Sequence, residues 1–379
     1  MSKYQNIPSP TFLLEEPLFR KNLELIQSVQ ERAGVSIILA LKAFAMWRMF
    51  PMVHRYLSGA TASSLSEAQL IFEEMGTKAH TYAVAYLPHD FQQIMAYSSH
   101  ITFNSVTQYL RYKSAVDAFS EPISCGIRVN PEYSEVSTDL YNPAAQGSRL
   151  GVTEEAFISG LPDGVEGFHF HTLCESSSYE LEKTLFAFEE KFGSWLPQLK
   201  WVNMGGGHLM TRKGYDVEHL IHVLLQFKSR YPNLEVILEP GSAIAWQTGV
   251  LVATVLDVIE NRGVKTAIVD VSFTAHMPDT LEMPYRPKIT GATDPIEGKP
   301  TYRIGGVSCL AGDYMSEYSF EQPLNVGDQL IFEDMIHYTM VKTTTFNGVK
   351  HPDISILHED GRLEVVKRFT YNDFKNRLS

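Results

Sequence analysis

The sequence predicts a (β/α)8 barrel of the TIM type followed by an all-β domain. Eight short apolar runs alternate with amphipathic helical stretches between residues 18 and 249. Most of those runs lack strict polar–apolar alternation, as parallel strands covered on both faces do. Beyond residue 250 the texture changes to β-branched and aromatic runs separated by turn residues. The 379 residues exceed one average domain and accommodate a barrel plus a second domain. The barrel is expected at 18–249, and the β domain at 1–17 together with 250–379.

The barrel strands are expected at Ser36–Lys42, Gly59–Ser63, Thr81–Tyr86, His100–Asn104, Ile123–Asn130, Gly167–His171, Trp201–Met204 and Glu235–Glu239. Among the helices, Pro17–Arg32 places Phe19, Leu23, Ile26 and Val29 at helical spacing, with Pro17 at its start and Gly34 beyond its end. Asp216–Tyr231 does the same with Leu220, Val223, Leu224 and Phe227. The connection between Tyr86 and His100 has room for only a small helix, which keeps an open doubly wound sheet as an alternative. In the second domain Val250–Ile259, Thr266–Val271, Tyr302–Val307, Gln329–Met335 and Ile354–Val366 read as strands. Asp360-Gly361 is a hairpin signal, and Thr11–Leu14 is an extended segment able to join the sheet.

Composition narrows the class of function. Lys plus Arg total 32 against 44 for Asp plus Glu, a formal net charge of −12. That balance argues against a general nucleic-acid binder and is compatible with a cationic small substrate. No apolar stretch approaches a membrane span, and the polar Met1–Pro10 segment lacks the apolar middle of a secretory signal. Three cysteines, Cys125, Cys174 and Cys309, form no CxxC pair and suggest free thiols in a cytoplasmic protein.

In such a barrel the chemistry gathers at the carboxyl ends of the strands. Those ends carry Lys42, Arg128, His171, the triple glycine 205–207 and Glu239. A lysine closing the run IILAL is partly desolvated, which lowers an amine's pKa and exposes its lone pair; a lysine that merely snorkels from a strand end is the plainer reading. The glycines let main-chain N–H groups approach an anion at a helix N-terminus, although three glycines can equally just make a loop. His169, His171, Cys174 and Glu175 resemble metal ligands only superficially, because Cys174 lies beyond the strand end and no second ligand cluster appears, so no metal is expected. Glu239 before Pro240-Gly241 is either a cap or a partner for a buried cation. Taken together, a desolvated lysine, an anion cradle, a histidine and a carboxylate suit pyridoxal 5'-phosphate. The lysine would form the Schiff base and the glycines would hold the phosphate. The histidine would stack on the ring, and the carboxylate would pair with its nitrogen.

The chain also resembles the barrel-type pyridoxal-phosphate decarboxylases, which include diaminopimelate, ornithine and arginine decarboxylases, and within them the carboxynorspermidine/carboxyspermidine branch. The likeness rests on ALKAF (40–44), ASSLSE (62–67), FHFHTLCE (168–175), NMGGGHLMTRKGYD (203–216), LEPGSA (238–243), DVSFTAHMPDTLEMPYRP (270–287) and GGVSCLAGDY (305–314). It implies a two-domain architecture like that of alanine racemase and a head-to-tail homodimer with shared active sites. By resemblance Lys42 is the Schiff-base lysine, His171 the stacking histidine, Gly206 and Gly207 part of the phosphate cradle, and Glu239 the partner of the ring nitrogen. Cys309 and Asp313 match a cysteine and an aspartate that enter from the neighbouring subunit, and Tyr338 a tyrosine near the phosphate. Cys309 is then the acid that protonates the product, while Asp313 and Glu175 are candidates to bind distal ammonium groups. Arg128 is a candidate to orient the stacking histidine or the cofactor's ring oxygen, or else to sit in a structural ion pair. Four positions depart from relatives acting on simpler amino acids: Ser242 after EPG, Leu310 after Cys309, Cys174-Glu175 in place of glycine-serine, and Thr61 where some carry aspartate. They turn the expectation from diaminopimelate or ornithine toward the longer polyamine precursors carboxynorspermidine and carboxyspermidine. A non-catalytic pyridoxal-phosphate-binding protein is the rival from another class.

Overall fold

The computed structural model describes residues 3–4, 7–136, 141–282 and 284–379. Met283, inside the motif at 270–287, and part of the polar N-terminal segment lie outside the described residues. The chain divides into two compact units, Asn22–Ile244 and Met1–Lys21 with Ala245–Ser379.

The N-terminal strand β1 (Thr11–Glu15) belongs to the second unit, and helix α1 (Glu16–Ala33) leads from it into the first. The first unit is then β2 (Ser36–Ala40), α2 (Phe50–Tyr56), β3 (Gly59–Ala62), α3 (Leu65–Met75), β4 (Ala79–Tyr82), α4 (Phe91–Tyr97), β5 (Ser98–Phe103) and α5 (Val106–Asp117). It continues with β6 (Ser124–Arg128), β7 (Val165–His169), α6 (Ser178–Phe192), β8 (Trp201–Asn203), α7 (Val217–Arg230), β9 (Glu235–Leu238) and the short α8 (Ser242–Ala245). Strands β2 to β9 pair in parallel, and β9 returns to β2 through Ser36↔Ile237 and Ile37↔Leu238. The barrel is closed, so the open-sheet alternative is overturned. Its helices start where the sequence supplies caps: Ser64, Ser105 and Ser177 each accept a first-turn N–H, and Asp216 accepts that of His219 to begin α7.

All eight predicted runs are barrel strands, with shifted ends. The largest shift is at β4, which spans Ala79–Tyr82 rather than Thr81–Tyr86. Its last predicted residue, Tyr86, is instead a buried post whose hydroxyl donates to the carbonyls of Thr81 (3.0 Å) and Thr102 (2.8 Å). Low in the barrel the Trp201 indole packs with Ile38 and Ile237, and its Nε1–H donates to Ser124 Oγ at 2.8 Å. A Cβ at Gly167 would lie 2.0 Å from that ring, which makes glycine the only fit there.

The second unit is a mostly antiparallel sheet. It contains β10 (Gly249–Asn261), β11 (Val264–Val269), β12 (Ala292–Thr293), β13 (Thr301–Gly305), β14 (Tyr314–Phe320), β15 (Gln329–Glu333), β16 (Asp353–Leu357) and β17 (Leu363–Lys367). The order is β12-β14-β13-β11-β10-β1-β16-β17, with β15 also on β10. Thr11–Leu14 pairs antiparallel with β10 and parallel with β16. The run 354–366 is the hairpin β16–β17, turning at Asp360-Gly361. Short helices α9 (Phe273–His276), α10 (Asp279–Glu282) and α11 (Tyr371–Leu378) interrupt what the sequence suggested would be strand and turn alone. No helix among the described residues is long and apolar enough to cross a membrane.

Candidate active site

The barrel's carboxyl face gathers Lys42, Arg128, His171, Gly206 and Glu239. Lys42 follows β2, where Ala40 N–H donates to Pro240 O at 3.2 Å and ties the loops after β2 and β9 together. Its side chain is open to solvent yet stands in a densely walled hollow. Desolvation lowers its pKa against the pull of Glu239, and Arg128 adds to the lowering.

Lys42 Nζ lies 3.0 Å from His171 Nε2. On the other side of the ring, Gly206 N–H donates to His171 Nδ1 at 3.0 Å. Burial, then the charges of Lys42 and Arg128, hold His171 well below its usual pKa, so the ring is neutral. A neutral imidazole that accepts at Nδ1 carries its hydrogen at Nε2. That N–H faces Lys42 Nζ, whose pKa desolvation lowers toward the neutral amine able to accept it. Arg128, buried at the end of β6, donates from Nη2 to the His171 carbonyl at 3.0 Å, with its guanidinium 4.8 Å from the centre of the Tyr82 ring. Arg128 therefore orients the histidine through its main chain.

Glu239 ends β9. Burial alone would raise its pKa, but His169, Asn203 and His80 outweigh burial and hold it near 2. Asn203 Nδ2 donates to Oε1 at 2.6 Å, while His169 Nε2 is 3.5 Å from Oε2, too long for a well-formed hydrogen bond. Sequence reading missed Asn203, Tyr82 and His80. The signal for Asn203 was an amide set between Val202 and Met204 at a strand end.

The glycine run serves packing first. A Cβ at Gly206 would meet the Glu239 carbonyl at 2.3 Å, so this loop fits between its neighbours only as bare backbone. The expectation of a helix N-terminus here is not met, because α7 begins only at Val217. Gly207 N–H donates to no acceptor among the described residues and is available to an anion. Glu175, at φ 49°, is exposed in the loop after β7. A reactive amine, a flat neutral imidazole, an ionised carboxylate and an unused main-chain donor fit pyridoxal phosphate.

Cys309, Asp313 and Tyr338 belong to the sheet unit. Cys309 is exposed, and its N–H donates to Asn347 Oδ1 at 2.8 Å. Asp313 is only 4% exposed; Oδ1 accepts from Thr274 N–H and Oδ2 from Ser308 N–H, each at 3.0 Å. Tyr338, at φ 48° and ψ −61°, sits at the centre of a tight turn closed by Thr339 N–H to His337 O. This is the rarer positive-φ γ-turn, a strained conformation of the kind that collects at ligand sites. Asp279 Oδ2 steadies it by accepting from Thr339 Oγ1 at 2.8 Å.

The chain is similar to known proteins over nearly its whole length. A family model described as "Pyridoxal-dependent decarboxylase, C-terminal sheet domain" matches residues 94–336. A carboxyaminopropylagmatine decarboxylase of Synechocystis sp. is 53% identical, covering 99% of this chain and 97% of that protein. A carboxynorspermidine/carboxyspermidine decarboxylase of Campylobacter jejuni is 43% identical, covering 99% of both. The crystal structure of carboxynorspermidine decarboxylase from Campylobacter jejuni, complexed with norspermidine, superposes with a TM-score of 0.91 at 42% identity, covering 98% of this chain and 100% of that one. With relatives this similar over nearly its whole length, the chain belongs to the barrel-type pyridoxal-dependent decarboxylases, in their carboxynorspermidine/carboxyspermidine branch.

Proposed function

We propose that this protein decarboxylates carboxynorspermidine, and carboxyspermidine beside it, to norspermidine and spermidine. The observation that carries the reaction is Lys42 Nζ, 3.0 Å from His171 Nε2 and lowered in pKa by desolvation, in a barrel mouth that also holds an ionised Glu239. The similarity to the Campylobacter jejuni enzymes supports the choice of substrate.

Pyridoxal phosphate, when bound, supplies an aldehyde that captures amines and a ring that takes up the electron pair released with carbon dioxide. Lys42 would offer its lone pair to that aldehyde, because desolvation lowers its pKa and favours the neutral amine. His171, fixed by Gly206 N–H and Arg128, presents a flat neutral face. Glu239, ionised at any working pH, keeps a proton on the ring nitrogen, because its own affinity for that proton is low. Gly206 and Gly207 would shape the loop around the phosphate, and Tyr338 is assigned as a further residue that would hold the cofactor. Cys309 delivers a proton to Cα from the other subunit of a homodimer with shared sites. Both carboxylate oxygens of Asp313 are already bonded to main chain, so we assign the distal ammonium to the exposed Glu175 and a loop-holding role to Asp313.

A second substrate, carboxyaminopropylagmatine, is favoured by the 53% identity of the Synechocystis enzyme. It shares the carboxyaminopropyl head and ends in a guanidine instead of an amine. A panel of all three precursors with diaminopimelate and ornithine, read as carbon dioxide release, decides between them. The highest kcat/KM is expected on a carboxynorspermidine-type substrate. Faster turnover of diaminopimelate or ornithine overturns the reading.

A further inference from the structure

We propose that Asn347 is a positioning residue for the acid Cys309, holding the thiol where it can reach Cα; this rests on the reading of Cys309 as that acid. Cys309 is exposed, so packing cannot fix its side chain and its main chain must do so. The turn around it is closed by its own bonds: Gly306 N–H to Asp313 O at 2.7 Å and Asp313 N–H to Leu310 O at 3.0 Å. Cys309 N–H instead reaches across to another segment, donating to Asn347 Oδ1 at 2.8 Å.

Both segments are moored to the same short helix. Asp313 Oδ1 accepts from Thr274 N–H of α9 at 3.0 Å, and Thr344 N–H donates to Ala275 O of α9 at 2.7 Å. Ser272 caps α9 by accepting from Ala275 N–H at 3.0 Å. The SFTAH part of the 270–287 motif thus sets the distance between the Cys309 turn and Asn347. Asn347 itself stands at φ 55° and ψ 8°, a left-handed backbone that asparagine and aspartate tolerate better than other residues with a Cβ. The position therefore needs both the backbone and the side-chain oxygen.

The chemistry needs accurate placement. The Sγ–H bond breaks with its electron pair left on sulfur. The new C–H bond forms from the pair left on Cα by departing carbon dioxide. If the proton goes instead to the carbon that was the cofactor's aldehyde, hydrolysis releases an aldehyde product and leaves the cofactor as its amine. The share of aldehyde therefore reports where the proton lands.

The test compares holoenzyme carrying Asn347→Gly, Asn347→Asp, Cys309→Ala and Cys309→Ala with Asn347→Gly, using carboxynorspermidine as substrate. Glycine keeps the left-handed backbone and deletes the acceptor; aspartate keeps both. We expect Asn347→Gly to lower kcat about ten- to a hundredfold, the range of a misplaced catalytic group, with KM within about twofold and the aldehyde share raised. Asn347→Asp should recover kcat to within about threefold and keep the aldehyde share low. Adding Asn347→Gly to Cys309→Ala should change nothing further. A wild-type kcat and product ratio in Asn347→Gly, or equal losses in the glycine and aspartate variants, overturns the role of Asn347 while leaving Cys309 as acid. A wild-type product ratio in Cys309→Ala overturns the reading of Cys309, and the role of Asn347 with it.

Discussion

Replacing Glu239 by glutamine isolates charge from shape at the centre of the barrel. The carboxyl is held near 2 instead of its ordinary 4.5, a difference worth about 3 kcal/mol in favour of the charged form. Its side chain is 12% exposed, so solvent screens little of this. A proton shared between Glu239 and a ring nitrogen therefore stays on the nitrogen. Glutamine retains an oxygen for Asn203 Nδ2, now at 2.6 Å, so packing changes little while the charge is lost. We expect kcat to fall about 10²–10³-fold, the cost of deleting one preorganised electrostatic partner. Lys42 provides an independent readout. Glu239 pulls the Lys42 pKa upward, so without it the amine stays uncharged to lower pH and imine formation with added pyridoxal phosphate extends in that direction. Steady-state carbon dioxide release and an absorption titration of the imine across pH measure the two effects. A kcat within threefold of wild type, or an imine titration displaced to higher pH, would refute the reasoning.

Three further outcomes follow from the same geometry. Lys42→Ala should bind pyridoxal phosphate without an imine absorption band, and a band unchanged from wild type would remove Lys42 as the anchor. His208 is buried and its pKa is depressed to about 4 by burial; between that value and its ordinary 6.5 the unfolded chain takes up a proton that the fold refuses. Stability therefore falls as pH drops below 6.5. Wild type should lose about 2 kcal/mol more than His208→Leu between pH 7.5 and 5 in urea unfolding, and equal pH dependence would count against it. Gly167→Ala forces a methyl to within 2.0 Å of the Trp201 ring and should cost about 1–3 kcal/mol or more; an unchanged urea midpoint would show that the indole has room to move.

Most of the barrel could be read from sequence because its strands are buried on both faces and so appear as apolar runs. What escaped was polar or irregular. Strand β14 (YMSEYSF) alternates exposed and buried residues at its start, and its serines and Glu317 interrupt the aromatic residues, so it shows no continuous apolar run. Helix α11 has no buried residue and leaves no core stripe to detect. The site divides in the same way. Lys42, His171 and Glu239 stand at strand ends, where the period of the fold points them into one mouth. Asn203 and Tyr82 act through side-chain contacts to neighbours distant in sequence, and no local pattern announces those. The bond from Cys309 to Asn347 depends on two irregular turns brought together by α9, and residue spacing carries no trace of it.

The hydrogen bond from Gly206 N–H to His171 Nδ1 bears on how this protein can drift. Its donor is a peptide group, common to every residue except proline, so no ordinary side-chain replacement deletes it. The ring's tautomer is thereby shielded from point mutation, whereas the Asn203 bond to Glu239 can vanish in a single codon change. The same peptide is pinned by the Glu239 carbonyl, which leaves no space for even a methyl group at position 206. Selection on packing alone therefore preserves the proton arrangement beside Lys42, and variation should accumulate in residues that reach the site through their side chains.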